Sequence, residues 1–271
     1  MARRKQKHYI VEQVPIVDTS NQGKGIGRKD DFVVFVDHAV PGDLIDVKVT
    51  GKVKKVPTGV IEKMIKPSED RIDATCKHFG DCGGCKIQNL GYEKQLYYKE
   101  KQVTDALQRI GHLEIGEARP IVGCDSPFNY RNKVEFTFSN RRWVPTAQLD
   151  RGEEINWYGA LGFHVARFFD KVIQIDECHL HLPIINEIRN EVGRFTQANE
   201  MTYYDIREHT GYFRNLLFRN SEGSNELALV VLIGEEDPTL VKQLFAHLEP
   251  MFPQITSFMW IVNIKYNDSY S

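Results

Sequence analysis

DFVVFVDHAVPGDLIDVKVT, residues 31–50, places two short β-rich runs on either side of one turn. Asp31–Asp37 is dense in Val and Phe, and Leu44–Thr50 alternates apolar with polar residues, the period of a strand with one buried face. Between them, Pro41-Gly42-Asp43 supplies turn chemistry: a preset φ, a residue that accepts positive φ, and a short side chain able to bond nearby amides. Thr58–Ile65 reads as a further strand that closes a five-stranded barrel, so residues 8–67 are expected to form a small OB-like β-barrel. Pro67-Ser68-Glu69-Asp70 ends that unit.

Beyond it the periodicity changes. Leu96, Val103, Leu107 and Ile110 recur at helical steps from Tyr92 onward, with Gly111 as the stop, and this apolar stripe is expected to pack on a domain. Lys133–Ser139, Tyr212–Arg219, Leu227–Ile233 and Thr256–Val262 read as strands. Pro183 opens one helix through Ile184, Ile188, Val192 and Phe195, and Asp237-Pro238 opens another through Val241, Leu244, Phe245 and Leu248. Runs of strands with few helices predict an α+β multidomain chain rather than a doubly wound parallel sheet. The expected organisation is a barrel at 8–67, a cysteine-bearing segment at 68–91, a helical segment at 92–122 and a mixed α/β central domain at 123–271.

The bulk numbers narrow the setting. Hydrophobic residues make up 41% and charged residues 27% of the 271, an ordinary globular composition. No apolar run approaches the roughly 20 residues needed to span a bilayer. The basic start, Met1-Ala-Arg-Arg-Lys-Gln-Lys, leads into no apolar signal core, so a cytoplasmic location with no membrane partner is expected. Residues 1–75 hold 14 Lys and Arg against 11 Asp and Glu, although the whole chain is at −2, an asymmetry compatible with a nucleic-acid surface near the N-terminus. Five cysteines in a reducing compartment are not expected to form structural disulfides.

Three of those cysteines fall in Cys76-Lys-His-Phe-Gly-Asp-Cys82-Gly-Gly-Cys85. The two-residue gap from Cys82 to Cys85 lets both sulfurs reach one metal centre, and Gly83 and Gly84 let the backbone turn tightly and bring N–H groups toward sulfur. The five-residue gap before Cys82 exceeds the two to four usual in small zinc modules and suits a [4Fe-4S] cubane, whose corners need separated thiolates. Cys178, after the apolar run Val172–Ile175, is the expected fourth ligand. Cys124, in Gly123-Cys124-Asp125-Ser126-Pro127, is read as incidental. A zinc ion remains the alternative, with His78, His179 or His181 as substitute ligands.

At these residues the sequence resembles the TRAM-domain, iron–sulfur family of 23S rRNA (uracil-5-)-methyltransferases. Gly23-Lys-Gly25-Ile-Gly27-Arg28, Phe35-Val36 and Val40-Pro41-Gly42-Asp43 look like its TRAM domain, an RNA-binding barrel, and Pro67-Ser68 and Arg71 look like its exit into the cluster segment. Tyr130-Arg131-Asn132-Lys133, Gly162-Phe163-His164 and Cys178-x-Leu180 look like its central domain. The resemblance implies methyl transfer from S-adenosylmethionine to C5 of a ribosomal uridine: a cysteine thiolate adds to C6, C5 takes the methyl group, and a glutamate removes the C5 proton. The chain departs from the family in showing no Ser-Cys-Asn-Pro segment, no Asp-Pro-Pro motif and no cofactor-binding strand–glycine-loop–helix. The family's methyltransferase domain follows the central one, whereas this sequence stops at Asn267-Asp-Ser-Tyr-Ser271. The expectation is therefore an N-terminal portion that has no catalytic or S-adenosylmethionine-binding residue, is inactive alone, and packs residues 92–122 on the missing catalytic domain. The Cys85–Cys178 spacing is also long for the family, which suggests an insertion around Arg141–Trp157.

Gly23-x-Gly25-x-Gly27 mimics a nucleotide-binding glycine loop but leads into the strand-like FVVFV rather than a helix, so a β-turn beside an RNA surface is expected. Phosphate attraction needs exposed cations. The candidates are Lys24, Arg28, Lys54 and Lys55 in the barrel and Arg131 and Lys133 in the central domain. The expected partner is RNA, namely 23S rRNA, bound by a monomer. A non-catalytic RNA-binding protein with a structural zinc is the alternative reading.

Overall fold

The computed structural model describes residues 8–152, 154–166 and 168–267. The basic start, the last four residues of the expected 123–271 domain and one residue of the suspected insertion, Glu153, lie outside the described residues. The chain divides into two compact units, Met1–Gly80 with Cys85–Asp125, and Asp81–Gly84 with Ser126–Ser271.

In the first unit, β1 (Tyr9–Thr19), β2 (Gly25–Lys29), β3 (Phe32–Asp37), β4 (Leu44–Val53) and β5 (Val56–Lys66) close a barrel in the order β1-β2-β3-β5-β4. Only β3 and β5 run parallel. The alternation read in Leu44–Thr50 is the pleat itself: Ile45, Val47 and Val49 point inward with Val14, Ile16, Val34 and Val36. The glycine run forms a turn, with Ser20 O accepting from Gly23 N–H at 2.9 Å, and then enters β2, as expected of a barrel rather than a nucleotide loop.

α1 (Tyr92–Asp105) follows and passes into a π-helical turn, Ala106–Ile110, before Gly111. Its attachment to the barrel is polar. Lys101 Nζ meets Asp18 Oδ2 at 2.5 Å, and Gln102 Nε2 donates to Thr19 Oγ1 at 2.8 Å. The apolar stripe expected to pack on a domain is not covered by the described residues: Val103 is 62% and Ile110 79% exposed.

In the second unit, β6 (Lys133–Ser139), β7 (Arg142–Trp143), β8 (Ala160–His164), β9 (Val172–Gln174), β10 (Phe213–Ser221), β11 (Glu226–Ile233) and β12 (Ser257–Val262) form one sheet, ordered β12-β11-β10-β6-β8-β9-β7. A short helix, α2 (Thr146–Asp150), lies within the suspected insertion. α3 (Pro183–Ala198) and α4 (Thr239–Leu248) start at the prolines that the sequence marks. Ile185, Ile188 and Val192 of α3, with Val241, Leu244 and Leu248 of α4, bury their side chains against Phe136, Phe138, Leu216, Phe218, Leu229 and Val231. α4 is also the crossover that parallel pairing of β11 with β12 requires. The result is a mixed, mainly antiparallel α+β unit, as expected.

Asp205 is a polar fixing point of this unit. It accepts from Asn140 Nδ2 at 2.9 Å, from Arg141 Nε and Nη2 at 3.2 and 3.0 Å, and from the amides of Arg207 and Glu208 at 2.8 and 3.2 Å. Burial alone raises a carboxyl pKa, but Arg141, Asn140 and the two amides together hold this one far below the usual carboxylate range. A depressed folded pKa gives stability that is fully present above the unfolded value of about 3.9 and is lost as pH falls from there toward the folded value. Asp205→Asn is therefore expected to lower stability at neutral pH, with the gap to wild type narrowing below about pH 4. Urea unfolding across that range checks this, and parallel pH curves would show that Asp205 is not a titrating support.

Candidate metal centre and RNA-facing residues

The segment after the barrel closes on itself in the first unit. Arg71 bridges Leu90, Ile72 N–H donates to Asn89 O at 3.0 Å, and Asn89 Nδ2 donates to His38 O at 2.8 Å. The loop so pinned holds Cys76 and Cys85, both half-buried. Gln88 ties the two together: its Oε1 accepts from Cys76 N–H at 3.2 Å and its Nε2 donates to Cys85 Sγ at 3.1 Å.

Cys82 belongs to the second unit. It forms an isolated antiparallel bridge with Val165, and Gly83 N–H donates to His164 O at 3.2 Å. Gly84 N–H points at Cys82 Sγ at 3.4 Å, the amide-to-sulfur geometry expected of the glycine pair. The reason for Gly83 differs from the tight turn that the sequence suggests. A Cβ there would stand 2.7 Å from His164 O, so close backbone approach demands the glycine.

Cys178 follows β9 and Ile175, and is buried. Its N–H donates to Asn186 Oδ1 at 2.9 Å, and Asn186 Nδ2 returns a bond to Cys178 O at 3.1 Å. The next two residues are clamped by Asn129 N–H on His179 O at 2.9 Å and Arg131 N–H on Leu180 O at 2.7 Å. Cys124 is exposed, its N–H donating to Tyr92 OH at 2.7 Å. None of the five cysteines is disulfide-bonded.

Among the described residues, no three His, Cys, Asp or Glu side chains stand together as ligands for one metal ion. The expected four-cysteine set is thus not gathered around one point; its donors are of the thiol type that a cluster takes, and N–H groups are directed at two of the sulfurs. Of the histidines weighed for zinc, His181 is fully buried with Nδ1 3.1 Å from Leu182 O, and burial pushes its pKa down to about 4. It is a neutral core histidine. His179 packs edge-on to Phe128 and stands 3.8 Å from Glu177.

The RNA-facing candidates separate. Arg28 is exposed on β2, and Lys54 and Lys55 are exposed at the β4–β5 turn, both at positive φ. Lys24 is instead bound to Asp37 at 2.8 Å with only 21% of its side chain exposed, so its charge is compensated within the barrel. Lys133 is exposed, 4.0 Å from Glu135, and Arg131 is half-buried, its N–H on Leu180 O two residues past Cys178. Gln88 and Asn186, which position three of the cysteines, were not foreseen. Each is a lone amide in no motif, and only the fold brings it to a cysteine.

Residues 10–56, from β1 into β5, match the TRAM domain. Over nearly its whole length the chain is similar to proteins named as uncharacterized RNA methyltransferases. One, from Bacteroides thetaiotaomicron, is 38% identical over 250 residues, covering 92% of this chain and 55% of that protein. Another, from Porphyromonas gingivalis, is 40% identical over 261 residues, covering 94% and 56%. The chain thus spans about half the length of the curated relatives it matches. It shares its fold with the Pyrococcus abyssi tRNA (uracil-54, C5)-methyltransferase, solved in complex with S-adenosyl-L-homocysteine, at a TM-score of 0.64 and 21% identity over 95% of this chain and 53% of that one. No helix of the described residues is long and apolar enough to cross a membrane.

Proposed function

We propose that this chain is the RNA-binding, [4Fe-4S]-bearing part of an S-adenosylmethionine-dependent methyltransferase that methylates C5 of a uridine in 23S rRNA. One observation carries the reading: a TRAM barrel joined through a cysteine-rich segment to an α+β unit, in a chain that aligns almost end to end with RNA methyltransferases. The proposal assigns methyl transfer and cofactor binding to the part of the relatives' length that this chain does not span, and α1's exposed stripe to contact with that part. Cys76, Cys82, Cys85 and Cys178 would hold the cluster, which when bound joins segments distant in sequence. Arg28, Lys54 and Lys55, with Arg131 and Lys133, supply phosphate-facing charge, and Lys24 contributes through the barrel's shape. The working form is a cytoplasmic monomer.

Two measurements test this. The whole protein, incubated with 23S rRNA and methyl-labelled S-adenosylmethionine, is expected to yield 5-methyluridine, and this chain alone to yield none. Label in tRNA but not in rRNA would move the substrate, and label in neither would remove the activity. Anaerobically purified chain is expected to hold about four irons and four sulfides. Cys82→Ser should lose them and Cys124→Ser keep them. About one zinc and no iron would favour the binding-module alternative.

A further inference from the structure

Arg189, on α3, is 1% exposed. Its Nη2 reaches Asn186 Oδ1 at 3.4 Å, while Nε and Nη1 are buried with no hydrogen-bond partner. Its guanidinium carbon stands 5.2 Å from the centre of the Phe136 ring. The ring offers a weak electrostatic partner but no acceptor for the two orphaned N–H groups. A buried guanidinium without an anion is among the costliest arrangements a core can hold, and it becomes favourable only when an anion meets it.

Two groups favour its charge, the Asp176 carboxylate and the Cys178 thiolate, against burial that pushes its pKa down to about 10. Asp176 is exposed, so water screens it. Cys178 is buried, and the same Asn186 that Arg189 touches grips its backbone at both N–H and C=O. We infer that Arg189 is the internal counter-cation of an anionic sulfur centre at Cys178, a thiolate taken up into an iron–sulfur cluster. The inference rests on the cluster reading above. Four thiolates around a [4Fe-4S]2+ core carry about −2, and a buried anion of that size needs positive charge and N–H donors near its sulfurs. Arg189 has both unspent. It is a positioning residue, since nothing places it on substrate.

A charge met without metal only by a solvent-screened carboxylate, and met with metal by a buried anion, makes a stability effect that changes sign. Arg189→Met keeps length and apolar bulk but removes the charge, and Arg189→Lys keeps the charge. The assays are the urea midpoint of metal-free chain, the rate at which a chelator strips iron from the cluster-loaded chain, and the cluster's reduction potential. Arg189→Met is expected to raise the metal-free midpoint, yet to lose iron about tenfold faster and to shift the one-electron reduction equilibrium about tenfold toward the oxidised cluster, about 59 mV. Arg189→Lys should hold iron near the wild-type rate. Equal destabilisation of both forms by Arg189→Met, or equal iron loss in both variants, would make Arg189 a shape-filling residue and overturn the inference, as would an Arg189→Met chain that unfolds without metal. Wild type that takes up no iron removes the cluster reading and the inference together, whereas iron held indifferently to Arg189 removes the inference alone.

Discussion

Asp43→Ala is expected to lower the stability of the first unit by about 3–5 kcal/mol, the range for breaking a buried ion pair on one side. The Asp43 side chain is fully buried and Arg71 is 22% exposed. The carboxylate accepts from Val40 N–H at 2.8 Å, Ser68 N–H at 2.9 Å, and Arg71 Nε and Nη2 at 3.0 and 2.5 Å. Removing it strands two amides and a largely covered guanidinium, whose remaining bond is to His38 O at 3.0 Å. The loss also reaches the cysteine loop, because Arg71 bridges Leu90 and His38 O receives Asn89. Denaturant unfolding, with hydrogen exchange at Val40 and Ser68, checks this, and a loss below about 1 kcal/mol would mean that the pair behaves like a surface salt bridge. Arg71→Lys should fall between, since an ammonium cannot reproduce the two-pronged contact.

Asp43 also shows how far the sequence can be read. Its place in Pro41-Gly42-Asp43 marks it as a turn residue, and it does bond the Val40 amide three residues back. Its bonds to Ser68 and Arg71, 25 and 28 residues on, have no local signature. The same division runs through the chain. The alternation in Leu44–Thr50, the prolines before α3 and α4, and the β-rich run at Lys133–Ser139 are local patterns, and each became the element expected. The parallel pairs β3–β5 and β7–β9, by contrast, are set by what closes the barrel and the sheet edge rather than by the strands' own residues. α1 shows a related limit. Helical spacing of Leu96, Val103, Leu107 and Ile110 shows which residues share a face, but not what covers it, and the contacts that attach α1 to the barrel are Lys101 and Gln102 on polar positions.

The cysteines divide likewise. Spacing grouped Cys76, Cys82 and Cys85, yet the structure assigns Cys82, with Gly83 and Gly84, to the second unit and leaves its neighbours in the first. A four-residue excursion of this kind is driven by backbone pairing with His164 and Val165, and such pairing depends on the absence of a Cβ at Gly83. Glycine there reads in sequence as a tight turn, whereas its role in the fold is clearance.

Phe136→Ala is expected to cost the second unit about 3–5 kcal/mol, the range for emptying a buried aromatic site. Phe136 is fully buried on β6 opposite Leu216, with ring centroids 4.8 Å from Phe163, 5.6 Å from His181 and 6.2 Å from Phe218. The cavity is only part of the effect, because the ring is also what Arg189 rests on. Phe136→Leu separates the two contributions, since it keeps most of the volume and removes the π face. A desolvated cation–ring contact is worth about 2 kcal/mol, so Phe136→Leu should cost more in the wild-type background than beside Arg189→Met, with a coupling of about 1–2 kcal/mol in the double-mutant cycle. Urea unfolding of the four metal-free chains measures it. A coupling within about 0.5 kcal/mol of zero would mean that the ring fills space and does not hold the charge. The site beside Cys178 would then keep its buried guanidinium without help from the core, and an anion there would be needed all the more.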